Sequence, residues 1–150
     1  MAGVSGFIDR YSSNEDDFPW RIALYLDVSR FVTSRIAVRG GLVGATTFRD
    51  EDDESSGVYA PSTHGFAGGL YFFTPQSMAS VYSGIEYRAQ LNKRAERDAG
   101  TALGIGGVQA MLSSRAGFFI EGGYGIRLTK GDEGERITRL TGQLGVRIRF

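Results

Sequence analysis

"WRIALYLDV", residues 20 to 28, sets Trp20, Ile22, Leu24, Leu26 and Val28 at every second position, with Arg21, Ala23, Tyr25 and Asp27 between them. Successive side chains of a β-strand point to opposite faces, so the stretch predicts a strand with one apolar and one polar face. The period returns along the chain. In "RIAVRGGLVGATTF" Ile36, Val38, Leu42 and Phe48 oppose Arg35, Arg39 and Thr47. In "ASVYSGIEYRAQL" Ala79, Val81, Ile85, Tyr87 and Leu91 oppose Ser80, Tyr82, Glu86, Arg88 and Gln90. "GFFIEGGYGIRLT" sets Phe118, Ile120, Tyr124, Ile126 and Leu128 against Glu121, Arg127 and Thr129, and "QLGVRIRF" alternates Leu144, Val146, Ile148 and Phe150 with Gln143, Gly145, Arg147 and Arg149. For "GFAGGLYFFT" the reading puts Phe66, Leu70 and Phe72 on the apolar face and Tyr71 and Phe73 on the other. "TALGIGGVQAML" is too apolar on both sides for its facing to be read, and "GVSGFIDRY" completes the count as a strand. The result is roughly eight segments, each near the about 9–11 residues that a tilted membrane strand needs.

The connections alternate in length. Short links occur at residues 32–34, at "TPQS" and at "LSSR"; long polar links occur at "SSNEDDF", "RDEDDESSGVYAPST", "NKRAERDAG" and "KGDEGE". With eight strands, both termini and the short links share one rim and the long links the other. Of 17 acidic residues, 13 fall in the long links. Asp27, Glu86 and Glu121 remain on polar strand faces, with Asp9 expected there too, and they share those faces with Arg21, Arg35, Arg39, Arg88, Arg127, Arg139, Arg147 and Arg149. A narrow interior lined this way is filled by guanidinium–carboxylate pairs, and the expected network comprises Asp27, Arg39, Glu86, Arg88, Glu121, Arg127 and Arg139.

Composition decides which face meets which medium. Arginine supplies 15 of 17 basic residues, leaving Lys93 and Lys130 as the lysines, so the polar face is built for forked pairing rather than for solvation. Aromatics fall near the strand ends, Trp20, Phe48 and Phe66 toward one rim and Phe31, Phe72, Phe118 and Phe150 toward the other, as two interfacial girdles would require. No apolar run approaches 18 residues, which excludes a membrane-spanning helix but not a closed barrel. The expected fold is therefore a single-domain, all-β, eight-stranded antiparallel up-and-down transmembrane β-barrel over residues 1–150. Zero net charge without a basic run excludes a nucleic-acid footprint, and the absence of Cys excludes thiol and Cys-zinc chemistry. No cofactor or metal site is expected. No signal peptide is visible, and "MAG" is read as an initiator placed before a mature sequence.

"QLGVRIRF" resembles the C-terminal insertion signal of bacterial outer-membrane β-barrels, with Gln143, Gly145, Ile148 and Phe150 at the matching positions. Joined to the strand count and loop asymmetry, the whole chain is similar to the small eight-stranded barrels, such as the membrane domain of outer-membrane protein A and its smaller adhesin-like relatives. The resemblance implies a Gram-negative-type outer membrane, periplasmic termini and short turns, and external long loops. It further implies insertion by the barrel-assembly machinery, and lipid and lipopolysaccharide as surroundings. It favours a structural, anchoring or interaction role, with Asp50, Glu51, Asp52, Asp53 and Glu54 in the link from Arg49 to Thr63 as the expected contact for a protein partner.

Other readings stay open on the sequence. Some barrels of this kind acylate or deacylate lipid A through a His and a Ser near the external rim, and the sole histidine, His64, stands beside Ser62 and Thr63. "STHG" departs from the His-x-Ser pattern of the deacylases, so His64 is expected to be a solvated loop-edge residue. Glu86 with Glu121 as a glycosidase-like pair finds no room for substrate in so narrow a barrel. A narrow channel remains, as does a soluble lipocalin-like ligand binder with the apolar face turned inward. "GIGGVQA" lacks the helix that a phosphate loop needs, and "RDEDDE" lacks the glycine and distal glutamate of a calcium loop.

Overall fold

A computed structural model describes residues 2–12, 21–47, 62–74, 77–91, 98–129 and 138–149. Within them the chain forms eight strands: β1 (Ala2–Ser12), β2 (Arg21–Phe31), β3 (Ile36–Thr47), β4 (Ser62–Phe72), β5 (Ala79–Gln90), β6 (Asp98–Met111), β7 (Ala116–Thr129) and β8 (Thr138–Ile148). Each pairs antiparallel with its sequence neighbours, and β1 closes on β8 from Ala2↔Ile148 to Ser12↔Thr138. The fold is a closed, eight-stranded, up-and-down antiparallel barrel, as expected. Closure removes both sheet edges, so every strand finds a backbone partner on each side.

Side chains sort by parity. On β8, Arg139, Thr141, Gln143, Gly145 and Arg147 point inward, while Leu140, Leu144, Val146 and Ile148 stand exposed on the outer wall. Ile22, Leu24, Leu26 and Val28 on β2, and Val81 and Ile85 on β5, likewise face out. An apolar outer wall around a charged interior is the reverse of a lipocalin, whose apolar side lines the pocket.

The facing of β4 is opposite to the reading above. Phe66, Leu70 and Phe72 are buried in the interior, whereas Tyr71 and Phe73 are exposed outside. From Gly65 onward both faces of this strand are apolar or glycine, so alternation there could not choose between them. Register does: Phe66 lies between Gly41 and Arg88, and Gly68 between Arg39 and Glu86, all inward positions. The girdle expectation changes with it. Phe31 is half-buried and packs on Phe72 with ring centroids 5.0 Å apart, Phe118 is exposed on the outer wall, and Trp20, Phe48 and Phe150 lie outside the described residues. Arg35, expected on the inner face, sits in the exposed turn and donates to the Tyr71 hydroxyl at 3.2 Å. Asp98, read as part of a long link, begins β6, beside a register shift where Gly100 takes φ +98°. A left-handed residue at a bulge favours glycine. On β6, Leu103 and Ile105 are buried within the barrel.

Two short turns share one local design. "VTSRI" and "LSSRA" place a hydroxyl at Thr33 and at Ser113. Thr33 Oγ1 accepts from the amides of Arg35 and Ile36 at 3.2 and 2.9 Å, and Ser113 Oγ from those of Arg115 and Ala116 at 3.2 and 3.0 Å. Amides that a tight reversal leaves without a ladder partner are met by a side chain two or three residues earlier.

Candidate functional site in the lumen

Glu86 on β5 anchors the interior. Its Oε1 accepts from the Tyr25 hydroxyl and from Arg88 Nε, each at 2.5 Å, and its Oε2 accepts from Arg39 Nη2. Arg39 on β3 spans the lumen to β7, donating Nη1 and Nη2 to the two Glu121 oxygens at 2.8 Å each. Gln143 on β8 donates its amide to Glu121 and accepts from Ser5 on β1 at 3.2 Å. Five strands besides β5 are thus tied through two carboxylates, if β5's own Arg88 is set aside and Tyr25 on β2 is included. The bidentate Arg39–Glu121 fork is the geometry that guanidinium favours over ammonium.

Glycines make the room. An added Cβ on Gly68 would come within 2.4 Å of the Ile85 carbonyl oxygen, in the wall between Arg39 and Glu86. At Gly41 it would meet the Phe66 ring at 2.8 Å and the Leu26 carbonyl oxygen at 1.9 Å, so Phe66 lies where no other side chain fits. Phe66 then stacks tilted on Tyr25, with centroids 4.7 Å apart, and Ala23, Val43 and Ala45 complete an apolar cluster on the long-link side of the charges. A second apolar cluster of Ala37, Leu70, Phe72, Tyr82, Leu103 and Ile105 lies toward the short-turn rim. Charged groups held between two apolar layers are shielded from bulk water, which strengthens their pairing and raises the cost of removing one partner.

A second polar group centres on Arg147. Arg147 on β8 donates Nη1 to Gln109 at 2.9 Å and lies 3.8 Å from Asp27. Its guanidinium is 4.5 Å from the Phe119 ring centroid and 5.7 Å from that of Tyr82. Such cation–π placement holds a buried arginine where carboxylates are few.

The structure therefore joins Arg39, Glu86, Arg88 and Glu121 by hydrogen bonds and sets Asp27 nearest to Arg147, at 3.8 Å. Arg139 is buried on β8, and the Arg127 side chain lies outside the described positions. Tyr25, Gln143 and Gln109 were not expected among the interior partners; uncharged, they carried no signal beyond their parity. Of the residues matching the insertion signal, Gln143 and Gly145 point inward, Ile148 outward, and Phe150 lies outside the described residues. A Cβ on Gly145 would approach Ser5 Cβ to 2.3 Å and the Phe119 ring to 2.8 Å, so packing alone demands glycine there. His64 is not the solvated residue expected: it is 7% exposed, on the inner face of β4 opposite Val43 and Gln90. Burial follows from its parity with Phe66, which the mistaken facing of β4 had hidden. Asp50, Glu51, Asp52, Asp53 and Glu54 lie outside the described residues. Among the described residues no group of acidic or histidine side chains is arranged to hold a metal ion.

No family model and no curated protein matches the chain. Solved structures do. Neisserial surface protein A aligns with a TM-score of 0.67 at 11% identity, over 99% of this chain and 96% of that one. Ail, the attachment invasion locus protein of Yersinia pestis, aligns with a TM-score of 0.54 at 14% identity, over 99% and 96% of the two chains. At such identities the likeness is one of architecture, and the chain has the fold of the small eight-stranded outer-membrane β-barrels.

Proposed function

We propose that the chain is an integral barrel of a Gram-negative-type outer membrane, non-enzymatic, with a structural, anchoring or interaction role. The observation that carries this reading is the sorting of side chains across the wall: Leu24, Leu26, Val28 and Ile85 outward, Arg39, Glu86 and Glu121 inward. Only a medium without hydrogen bonds makes that sorting favourable, because in water the outer wall would be a contiguous apolar patch on every side. Lipid and lipopolysaccharide are then its surroundings. The short-turn rim and the termini face the periplasm, insertion runs through the barrel-assembly machinery, and the long acidic links, Asp50 to Glu54 foremost, meet any protein partner outside. The paired arginines and glutamates act as a plug that holds the strands in register and obstructs flow. Burial of His64 within the wall speaks against its use as an exposed general base at the rim.

The reading is tested by refolding the chain with and without detergent micelles and comparing boiled with unboiled samples on a denaturing gel. The expected result is a folded, heat-modifiable species only with detergent. A β-rich monomer in plain buffer would sink the membrane assignment.

A further inference from the structure

The two rims differ in charge as sharply as the two faces of the wall. Residues 29–36, 73–80, 111–116 and 148–150 contain Arg30, Arg35, Arg115 and Arg149 and no Asp or Glu, whereas 13 of the 17 acids belong to the long links. Arg35 and Arg115 occupy the same place in their two matching turns, next to the hydroxyl that orders the turn. Large apolar side chains stand on this same rim: Val32, Phe73, Met78 and Leu112 are 53–75% exposed. Basic and apolar groups side by side at a strand end suit the boundary between acyl chains and head groups.

This rim also carries a pocket. A cavity of about 250 Å³ opens between the β4–β5 and β6–β7 turns, lined by Ser77, Met78, Met111, Ser113, Ser114 and Arg149. The Arg149 backbone is fixed beside the β6–β7 turn, its amide donating to the Arg115 carbonyl at 2.7 Å. Ser113 Oγ accepts two amides, so its hydroxyl proton remains to be donated. A guanidinium fork beside hydroxyl donors recognises a phosphate, and the two methionines offer an apolar wall to the first carbons beyond it.

We propose that this pocket binds the phosphodiester head group of an anionic phospholipid, with Arg149 and the Ser113 and Ser114 hydroxyls on the phosphate and Arg115 and Arg35 raising the local positive potential. The proposal rests on the membrane-spanning reading above. A soluble anion would gain nothing from the exposed Met78 side chain in the pocket lining, while a lipid buries it.

The test is native mass spectrometry of the detergent-refolded full chain titrated with phosphatidylglycerol or phosphatidylcholine. Wild type should retain phosphatidylglycerol preferentially, and Arg149→Gln and Arg115→Gln should each lower that retention about fivefold. Heat-modifiability of each variant shows that its barrel has formed, and the comparison of two lipids on wild type needs no variant at all. Equal retention of the two lipids by a heat-modifiable wild type overturns the site and leaves the membrane reading standing. Loss of phosphatidylglycerol to excess inorganic phosphate would overturn the lipid assignment in favour of a free anion. Failure of the chain to fold in any detergent would defeat both readings together.

Discussion

Glu86 shows how much one side chain can hold in this interior. It accepts from Tyr25, Arg39 and Arg88 at once, so Glu86→Ala leaves two buried guanidinium groups facing each other without their shared counter-charge. Breaking one side of a buried pair costs about 3–5 kcal/mol, and the urea midpoint of the refolded barrel should fall accordingly. Arg39→Ala combined with Glu86→Ala should cost less than the sum of the two singles, because each removes what the other leaves unmatched. Glycines give a second residue-scale contrast. Gly145→Ala forces a Cβ to within 2.6 Å of the Val4 carbonyl oxygen and 2.3 Å of Ser5 Cβ, while a Cβ on Gly142 meets nothing within 4 Å. The first should destabilise by about 1–3 kcal/mol. The second should stay within about 0.5 kcal/mol of wild type in the same denaturation experiment.

At the scale of elements, the repeated turn is the most local structure in the chain. Thr33 and Ser113 each accept two amides in turns of the same pattern, so Thr33→Val and Ser113→Ala should have nearly equal effects. A loss of about 0.5–1 kcal/mol apiece is expected, since water can replace the hydroxyl in an exposed turn. Amide exchange at Ile36 and Ala116 is the direct readout: each should quicken in its own variant and not in the other. Strand β4 is the opposite case. Nothing within "GFAGGLYFF" tells which face is inner, because Phe66, Leu70 and Phe72 are matched by Tyr71 and Phe73 in size and apolarity. Its facing is imposed by ladder positions on β3 and β5, where Arg39 and Glu86 must meet across Gly68.

For the whole molecule the decisive property is that the outer wall is apolar while the charged groups of the strands are gathered in the lumen. Ile85 stands 73% exposed near the middle of β5, flanked by Gly69 and Gly104 on the neighbouring strands. In lipid, Ile85→Arg should cost about 2–4 kcal/mol, measured by reversible denaturation from phospholipid vesicles. If water bathed that face, the same change would be almost without effect, so the measurement reports on the medium as well as on the residue. The charged interior acts at the same scale. Its pairs link strands far apart in sequence, Arg39 to Glu121 and Tyr25 to Glu86, and on the proposed plug reading they oppose the slippage that pairwise strand ladders alone would allow.

Period two, the alternating link lengths and the shortage of lysine are local or countable properties, and from them the sequence by itself determined an eight-stranded barrel with arginines and glutamates on its polar faces. Glu86 with Arg88 was legible because an i, i+2 pair on a strand shares a face by covalent geometry. Arg39 with Glu121 was legible only as two members of one face, since which pairs meet across a lumen depends on register and closure. The tertiary structure alone decided the inward turn of β4, the burial of His64, the approach of Arg147 to Asp27, and the packing demand on Gly145. In each, the choice is made by a neighbour on another strand, and no periodicity within one strand records it.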